Sequence, residues 1–391
     1  MIIPEYDADK EYEVVGEYPP IKGLEIFGAG YFPSTPQYNR PISPRENYHR
    51  LMHNKTALWM PETGWTKCDI QQFRPRQHPD NLGNHQCIDG GEKPDFTTLG
   101  DEVVGWFDVP FKWEPGCGGA MPLPGFITLD DMNDWETLNW PDLDDFDWDA
   151  IHDMNVEYLG TNKANQLGIQ FGFWERMMNL MGVSDAAMAL IDEDQEDAIH
   201  AFLDRLSDIY VDYITRMNTK VGRIDSVFLH DDWGTQNGPF FSLDTCEEFF
   251  VPPMKRVVDA CHAQGIVFEH HCCGKAQNLV PAMLQTGSEY WCPQSMNDID
   301  MMLEEYKDEH FTFSILSPML PKGASDAQID EMGHEFVEKY WKYGCVWTKN
   351  ADWFPNPNHD QNLYPEFQKA VYKYSRLAHA GDEVEDFALA S

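Results

Sequence analysis

The stretch that decides the fold runs from Ile224 to Gly274. It opens as IDSVFLHDDWGTQN (224–237) and closes as IVFEHHCCG (266–274). Ile224–His230 and Ile266–His271 read as strands. Between them Ser242–Gln264 reads as a helix, with Pro252 and Pro253 expected to kink or restart it and Gly265 to stop it. Strand, helix and strand in succession imply parallel neighbours joined by a right-handed crossover.

The same alternation extends on both sides. Upstream, Gln166–Phe171 reads as a strand. Glu196–Met217 reads as a helix, with Ile199, Phe202, Leu203, Leu206, Ile209, Tyr210, Tyr213, Ile214 and Met217 forming one apolar stripe. Downstream come a helix Ala276–Thr286 ended by Gly287, a strand Tyr290–Pro293, a helix Ile299–Tyr306 and a strand Phe311–Leu316. A helix Ala327–Tyr343 with Gly344 at its stop, a strand Cys345–Thr348 and a closing helix Leu363–Leu377 complete the run. About six such units, with Thr56–Met60 taken as the first strand, predict a (β/α)8 TIM barrel of the α/β class. The alternative is a doubly wound open sheet. Its usual nucleotide signatures, G-x-G-x-x-G after a strand and G-x-x-x-x-G-K-[ST], do not occur. Residues 1–150 are rich in Pro, Gly, Trp and Asp. They are read as an N-terminal extension (1–55) and an irregular insertion or lid (61–150) of one domain spanning 1–391.

Composition narrows the function. The 391 residues are 42% hydrophobic, enough for a large core, and 28 basic against 66 acidic residues give a net charge of −38. Such a chain repels phosphate backbones and anionic lipid surfaces, so no nucleic acid and no membrane is expected as a partner. No run of 18 apolar residues occurs, and the opening MIIPEYDADKEYEVV lacks a secretion pattern. Nine cysteines without a C-x-x-C suit a reducing cytoplasm, where thiols are ligands or core filler.

In a barrel, reactive groups gather where strands end. His230, Asp231 and Asp232 follow one strand, and His270, His271, Cys272 and Cys273 close the next. Cys292 follows a third, and Cys345 opens the last strand, which runs into Lys349–Asp352. His271-x-Cys273 is the sharpest feature, because an imidazole and a thiolate two residues apart can share one ion and favour zinc. A third ligand must come from elsewhere, with Cys345 and Cys292 as candidates. The competing reading is a packed histidine and a small buried thiol. Of Asp231 and Asp232, one is expected to face the pocket for proton transfer or substrate binding. The bland alternative is a turn cap with a solvated neighbour. His230 reads more as a packed or supporting residue than as a chemical one. Trp106, Phe107, Trp113, Trp135, Trp140, Phe146 and Trp148 read either as an aromatic lid or, preferentially, as packing for an irregular segment. Asp142–Asp149, with five Asp, reads as a solvated capping loop.

ISPREN (42–47), HDDWGTQ (230–236) and HCCG (271–274) resemble the uroporphyrinogen decarboxylase superfamily. The resemblance is closest to its corrinoid-dependent methyltransferase branch. EPGCGG (114–119) and WPDLD (140–144) resemble the members tied to O-demethylation of methoxylated compounds. The resemblance runs from about residue 40 to the C-terminus. It implies a (β/α)8 barrel and zinc held by His-x-Cys with a distant Cys. Here those residues are His271, Cys273 and Cys345, although the family's third ligand usually falls a few residues later, near Lys349–Asp352. It also implies a corrinoid (cobalamin) cofactor. No D-x-H-x-x-G corrinoid motif is present, so the cofactor is expected on a partner corrinoid protein, with an aryl methyl ether favoured as donor. Asp231, Asp232 and His230 are the expected catalytic residues. A homodimer is compatible with this reading. The decarboxylase's own Arg-Gln-Ala-Gly-Arg signature is absent, and few cations occupy the strand-end loops to meet a polycarboxylate. The alternatives are a decarboxylase-like carboxy-lyase, a cobalamin-independent methyltransferase and a non-catalytic corrinoid-binding protein.

Overall fold

A computed structural model describes residues 2–19, 34–54, 56–63, 69–73, 102–114, 119–349, 356–387 and 389. Eight strands form one sheet. They are β1 (Glu62–Thr63), β2 (Ile70–Phe73), β3 (Ala164–Ile169), β4 (Ser226–His230), β5 (Val267–His271), β6 (Tyr290–Trp291), β7 (Thr312–Leu316) and β8 (Val346–Thr348). Every pairing is parallel, and the spatial order is β1-β8-β7-β6-β5-β4-β3-β2. The amide of Asp69, just before β2, donates to the Glu62 carbonyl of β1 at 3.1 Å, which brings the sheet's two ends together. The result is the expected (β/α)8 barrel and not a doubly wound sheet.

Around it lie α1 (Pro44–Asn54), α2 (Trp148–Leu159), α3 (Phe173–Met181), α4 (Glu196–Arg216), α5 (Leu243–Phe249), α6 (Val251–His262), α7 (Val280–Thr286), α8 (Ile299–Glu305), α9 (Asp326–Tyr340) and α10 (Tyr364–Ala378). The stripe of α4 is buried at Ile199, Phe202, Leu203, Leu206, Tyr210, Tyr213 and Ile214. Pro252 and Pro253 restart the chain as α6, where a missing N–H costs nothing in the first turn. Among the described residues no helix is long and apolar enough to cross a membrane.

Two expectations change. Thr56–Met60 is not a strand, because its backbone groups are taken by a side chain. Asn47 of α1 accepts from the amides of Leu58 and Trp59 and donates to the Trp59 carbonyl. The first two strands instead lie inside the stretch read as an insertion. That stretch also includes an antiparallel sheet of Glu102–Val104, Pro110–Glu114 and Gly119–Pro122. Its aromatic residues pack on the outer helices. Trp106 stacks on Tyr210 of α4 and lies 4.8 Å from the Arg176 guanidinium of α3, and Phe107 and Trp140 meet Phe202. The side chain of Trp113 lies outside the described residues. Within Asp142–Asp149, Asp142 and Asp147 accept from backbone amides and Asp144 pairs with Arg216, as expected of a capping loop.

Candidate metal centre

Strand pleating sorts the residues at the barrel mouth. Successive side chains alternate between the two faces of a strand. Gln166 of β3 donates to Ser226, to Glu269 and to the Tyr290 hydroxyl, so these residues share the barrel interior. Two residues further up β4 and β5 come Phe228 and His271, their rings 4.5 Å apart, and His230 stacks on His271 at 4.6 Å. His270 faces the other way, fully buried against Trp233 at 4.1 Å, and burial lowers its pKa to about 3.

One donor atom from each of His230, Asp232, His271 and Cys273 lies within 4.8 Å of the others, and all four residues are half-buried. His271 Nε2 is 3.4 Å from Cys273 Sγ, and His230 Nε2 is 3.8 Å from Asp232 Oδ1. A tetrahedral zinc at about 2.0–2.3 Å from each ligand separates its donors by roughly 3.3–3.8 Å. Sulfur, two imidazoles and a carboxylate also match zinc in softness. The residues present therefore fit the ion.

The loop that carries Cys273 is held from several sides. The Cys273 amide donates to Asp232 Oδ1 at 2.6 Å, and the Trp233 amide donates to Cys272 Sγ at 3.2 Å. The Trp291 indole donates to the Cys272 carbonyl. Gln294 and Asn297 bind the Gly274 amide and carbonyl. Gly274 has φ +79°, and a Cβ there would sit 2.4 Å from the Gly234 backbone, so the loops after β4 and β5 touch main chain to main chain. The Lys275 amide donates to the Thr235 carbonyl and closes the contact.

The two aspartates divide. Asp232 faces the cluster. Asp231 points outward and is fully buried at the start of α3. There Asp231 accepts from the amides of Phe173, Trp174 and Glu175 and from the Trp233 indole. Burial pushes its carboxyl up to about 6 although these donors pull it down. Gly172 is required beside it, because a Cβ would lie 2.4 Å from the Asp231 side chain.

Glu175 carries no signal in the sequence, since its partner is 55 residues away. Its Oε2 lies 2.8 Å from His230 Nδ1. Burial pushes Glu175 up to about 7, with His230 pulling down and Asp232 and Asp231 pushing up. Burial, then Asp232, raises the Cys273 thiol.

Cys345 does not join this group. It is fully buried and precedes β8, whereas the cluster sits at the C-terminal ends of β4 and β5. Cys292 follows β6 and stands outside the cluster too. Residues 350–352 of the expected third-ligand region lie outside the described residues. Glu196, His200 and Glu248 also approach one another, on α4 and α5, with both glutamates open to solvent.

No curated protein matches the sequence. The chain is similar in structure to a methyltransferase from Methanosarcina mazei, at 16% identity and TM-score 0.44, over 58% of this chain and 63% of that one. It thus spans less than two thirds of that protein's length. It is also similar to a Cellulomonas fimi endo-β-1,4-mannanase double mutant (12% identity, TM-score 0.38, 87% of this chain and 78% of that one). A B12-independent methionine synthase from Shewanella sp. matches at 9% identity and TM-score 0.39, over 97% of this chain and 98% of that one. In sequence, the uroporphyrinogen decarboxylase family model matches residues 111–343, which contain both loops of the cluster and five of the eight strands. By that match, over more than half its length, the chain belongs to the uroporphyrinogen decarboxylase family.

Proposed function

We propose that the protein is a zinc-dependent methyltransferase. It moves a methyl group between a small methylated compound, an aryl methyl ether by preference, and the corrinoid cofactor of a partner protein. The observation that carries this reading is the approach of His271 Nε2 and Cys273 Sγ to 3.4 Å at the rim where barrel enzymes do their chemistry. The resemblance of HDDWGTQ and HCCG to the methyltransferase branch supports it.

An alkoxide or phenoxide leaves poorly at neutral pH, and a bound zinc supplies a Lewis acid for the charge that develops on that oxygen. The chain's own residues do the rest. His271 and Cys273 hold the ion. The two joined loops fix both side chains before substrate arrives, so little reorganisation remains for the reaction itself. Asp232 presents its carboxylate to the same point. Asp231 acts at one remove, through the start of α3. The Phe228 ring, beside His271, gives a flat apolar substrate a surface. We place the protein in the cytoplasm, where a thiolate ligand stays reduced, acting as one barrel domain over 1–391, alone or as a homodimer.

The test is a donor screen with reduced corrinoid, read by the visible spectrum of methylcobalamin. Methylation that depends on added zinc and is lost in His271→Ala and Cys273→Ala is the expected result. Full zinc occupancy with unchanged turnover in both variants overturns the proposal. Carbon dioxide release with no corrinoid present would identify a carboxy-lyase instead.

A further inference from the structure

We infer that the strand β4 supplies the other half of the metal's donor set. His230 through Nε2 and Asp232 through a carboxylate oxygen complete the site begun by His271 and Cys273, and Glu175 is the positioning residue that fixes the His230 ring. This rests on the zinc reading above. It departs from the distant cysteine that the family resemblance implies.

Geometry is the first argument. The four donors converge within 4.8 Å, and they come from two adjacent strands whose loops cannot move apart independently. The Cys273 amide donates to Asp232 Oδ1, which ties the carboxylate to the loop that carries the thiol. Cys345 lies at the opposite end of β8. That strand covers Val346–Thr348, so at about 3.3 Å per residue the thiol starts roughly 10 Å below the rim.

The second argument is the set of supports behind His230. A carboxylate on Nδ1 is the arrangement that holds a metal-binding imidazole in the tautomer with its Nε2 lone pair free. Glu175 provides it at 2.8 Å. Glu175 is in turn held by the first turn of α3, whose amides Asp231 binds. The order of dependence is Asp231, then α3, then Glu175, then His230.

The donor set bears on the substrate. One thiolate, two imidazoles and a carboxylate are harder than a set with two thiolates and leave more positive charge on the ion. Such a centre would suit polarising an oxygen, which would enter as an additional ligand beside the four protein donors, better than binding a thiolate. The site therefore fits a methyl–oxygen substrate over a methyl–sulfur one.

The experiment uses the full chain, stripped with chelator and reloaded with zinc or cobalt(II). Zinc affinity is measured against a competing chelator, and the cobalt(II)–thiolate charge-transfer band counts sulfur ligands. His230→Ala and Asp232→Asn are expected to weaken zinc by more than about 100-fold, and Glu175→Gln by about 10–100-fold with partial rescue by Glu175→Asp. Cys345→Ser should leave affinity unchanged, and the band should correspond to one sulfur and vanish in Cys273→Ser. Asp232→Asn is nearly isosteric, so it keeps the test informative if the alanine variant does not fold. Stoichiometric zinc with unchanged affinity in His230→Ala and Asp232→Asn overturns this inference alone. A two-sulfur band that halves in Cys345→Ser or Cys292→Ser does the same. A wild-type chain that takes up no zinc overturns the zinc reading as well.

Discussion

Asp225 and Asp231 stand at the two ends of β4, and neither has exposed surface. Their surroundings are opposite. Asp225, below the strand, meets Arg45 at 2.5 Å, His49 at 3.0 Å and Arg223 at 3.1 Å, and accepts from the Asn165 amide. Burial pushes its carboxyl up, but His49, Arg223 and Arg45 more than offset it and leave a pKa of about 2. Asp231, above the strand, has amides and an indole for partners and other carboxylates for neighbours, and stands at about 6. One end of the barrel spends its charge on holding α1 to the strands. The other keeps its acids short of cations, which leaves room for an incoming one. This is the usual division of labour between the two faces of a barrel.

The division can be broken by substitution. The largest effect is expected from His271→Ala or Cys273→Ala. Methyl transfer should fall by about a thousandfold or more, the several kcal/mol that a Lewis acid supplies, while the metal-free melting temperature barely moves. Asp225→Asn should do the reverse. Removing one partner of a buried ion cluster costs about 3 kcal/mol in urea unfolding, with turnover per folded molecule unchanged. If Asp225→Asn abolished turnover at full folding, the comparison would fail.

Acid titration sharpens the same contrast. The Asp225 pKa is about 2 in the folded chain, below its ordinary value of 3.8. A depressed carboxyl stabilises the fold above its unfolded pKa and loses that contribution as pH falls through the folded one. About 2 kcal/mol should therefore disappear between pH 4 and pH 2. In Asp225→Asn that part of the stability curve should be flat. The smallest effect is expected for Asp231→Asn, which keeps one good acceptor for the α3 amides and should cost about 1 kcal/mol. It should still loosen zinc, because Glu175 is displaced with the helix start.

Much of this was legible in the sequence. From residue 164 onward strands and helices alternate, and the reading matches them within a few residues except at α3 and the helix Val183–Ala189, which it passed over. β1 and β2 escaped because they are short and their buried side chains are polar. Glu62, Thr63 and Gln71 do not produce an apolar run. The pairing of His271 with Cys273 was readable, since the two stand two residues apart at one strand end. The separation of Asp231 from Asp232 was available in principle from the two-residue period of the strand. His230 and Asp232 fall on one side, and Asp231 falls on the other. The same reasoning applies to Cys345, which the strand reading itself placed at the start of β8 and hence at the wrong rim. Glu175 could not be found this way, because nothing in α3 distinguishes it until the fold brings His230 alongside.

The glycine contact between the loops after β4 and β5 also governs traffic. With Gly234 and Gly274 pressed backbone to backbone, this side of the mouth is a fixed lip that no ligand can part. On the proposed function, a macrocycle carried by a partner protein would therefore approach over the opposite lip.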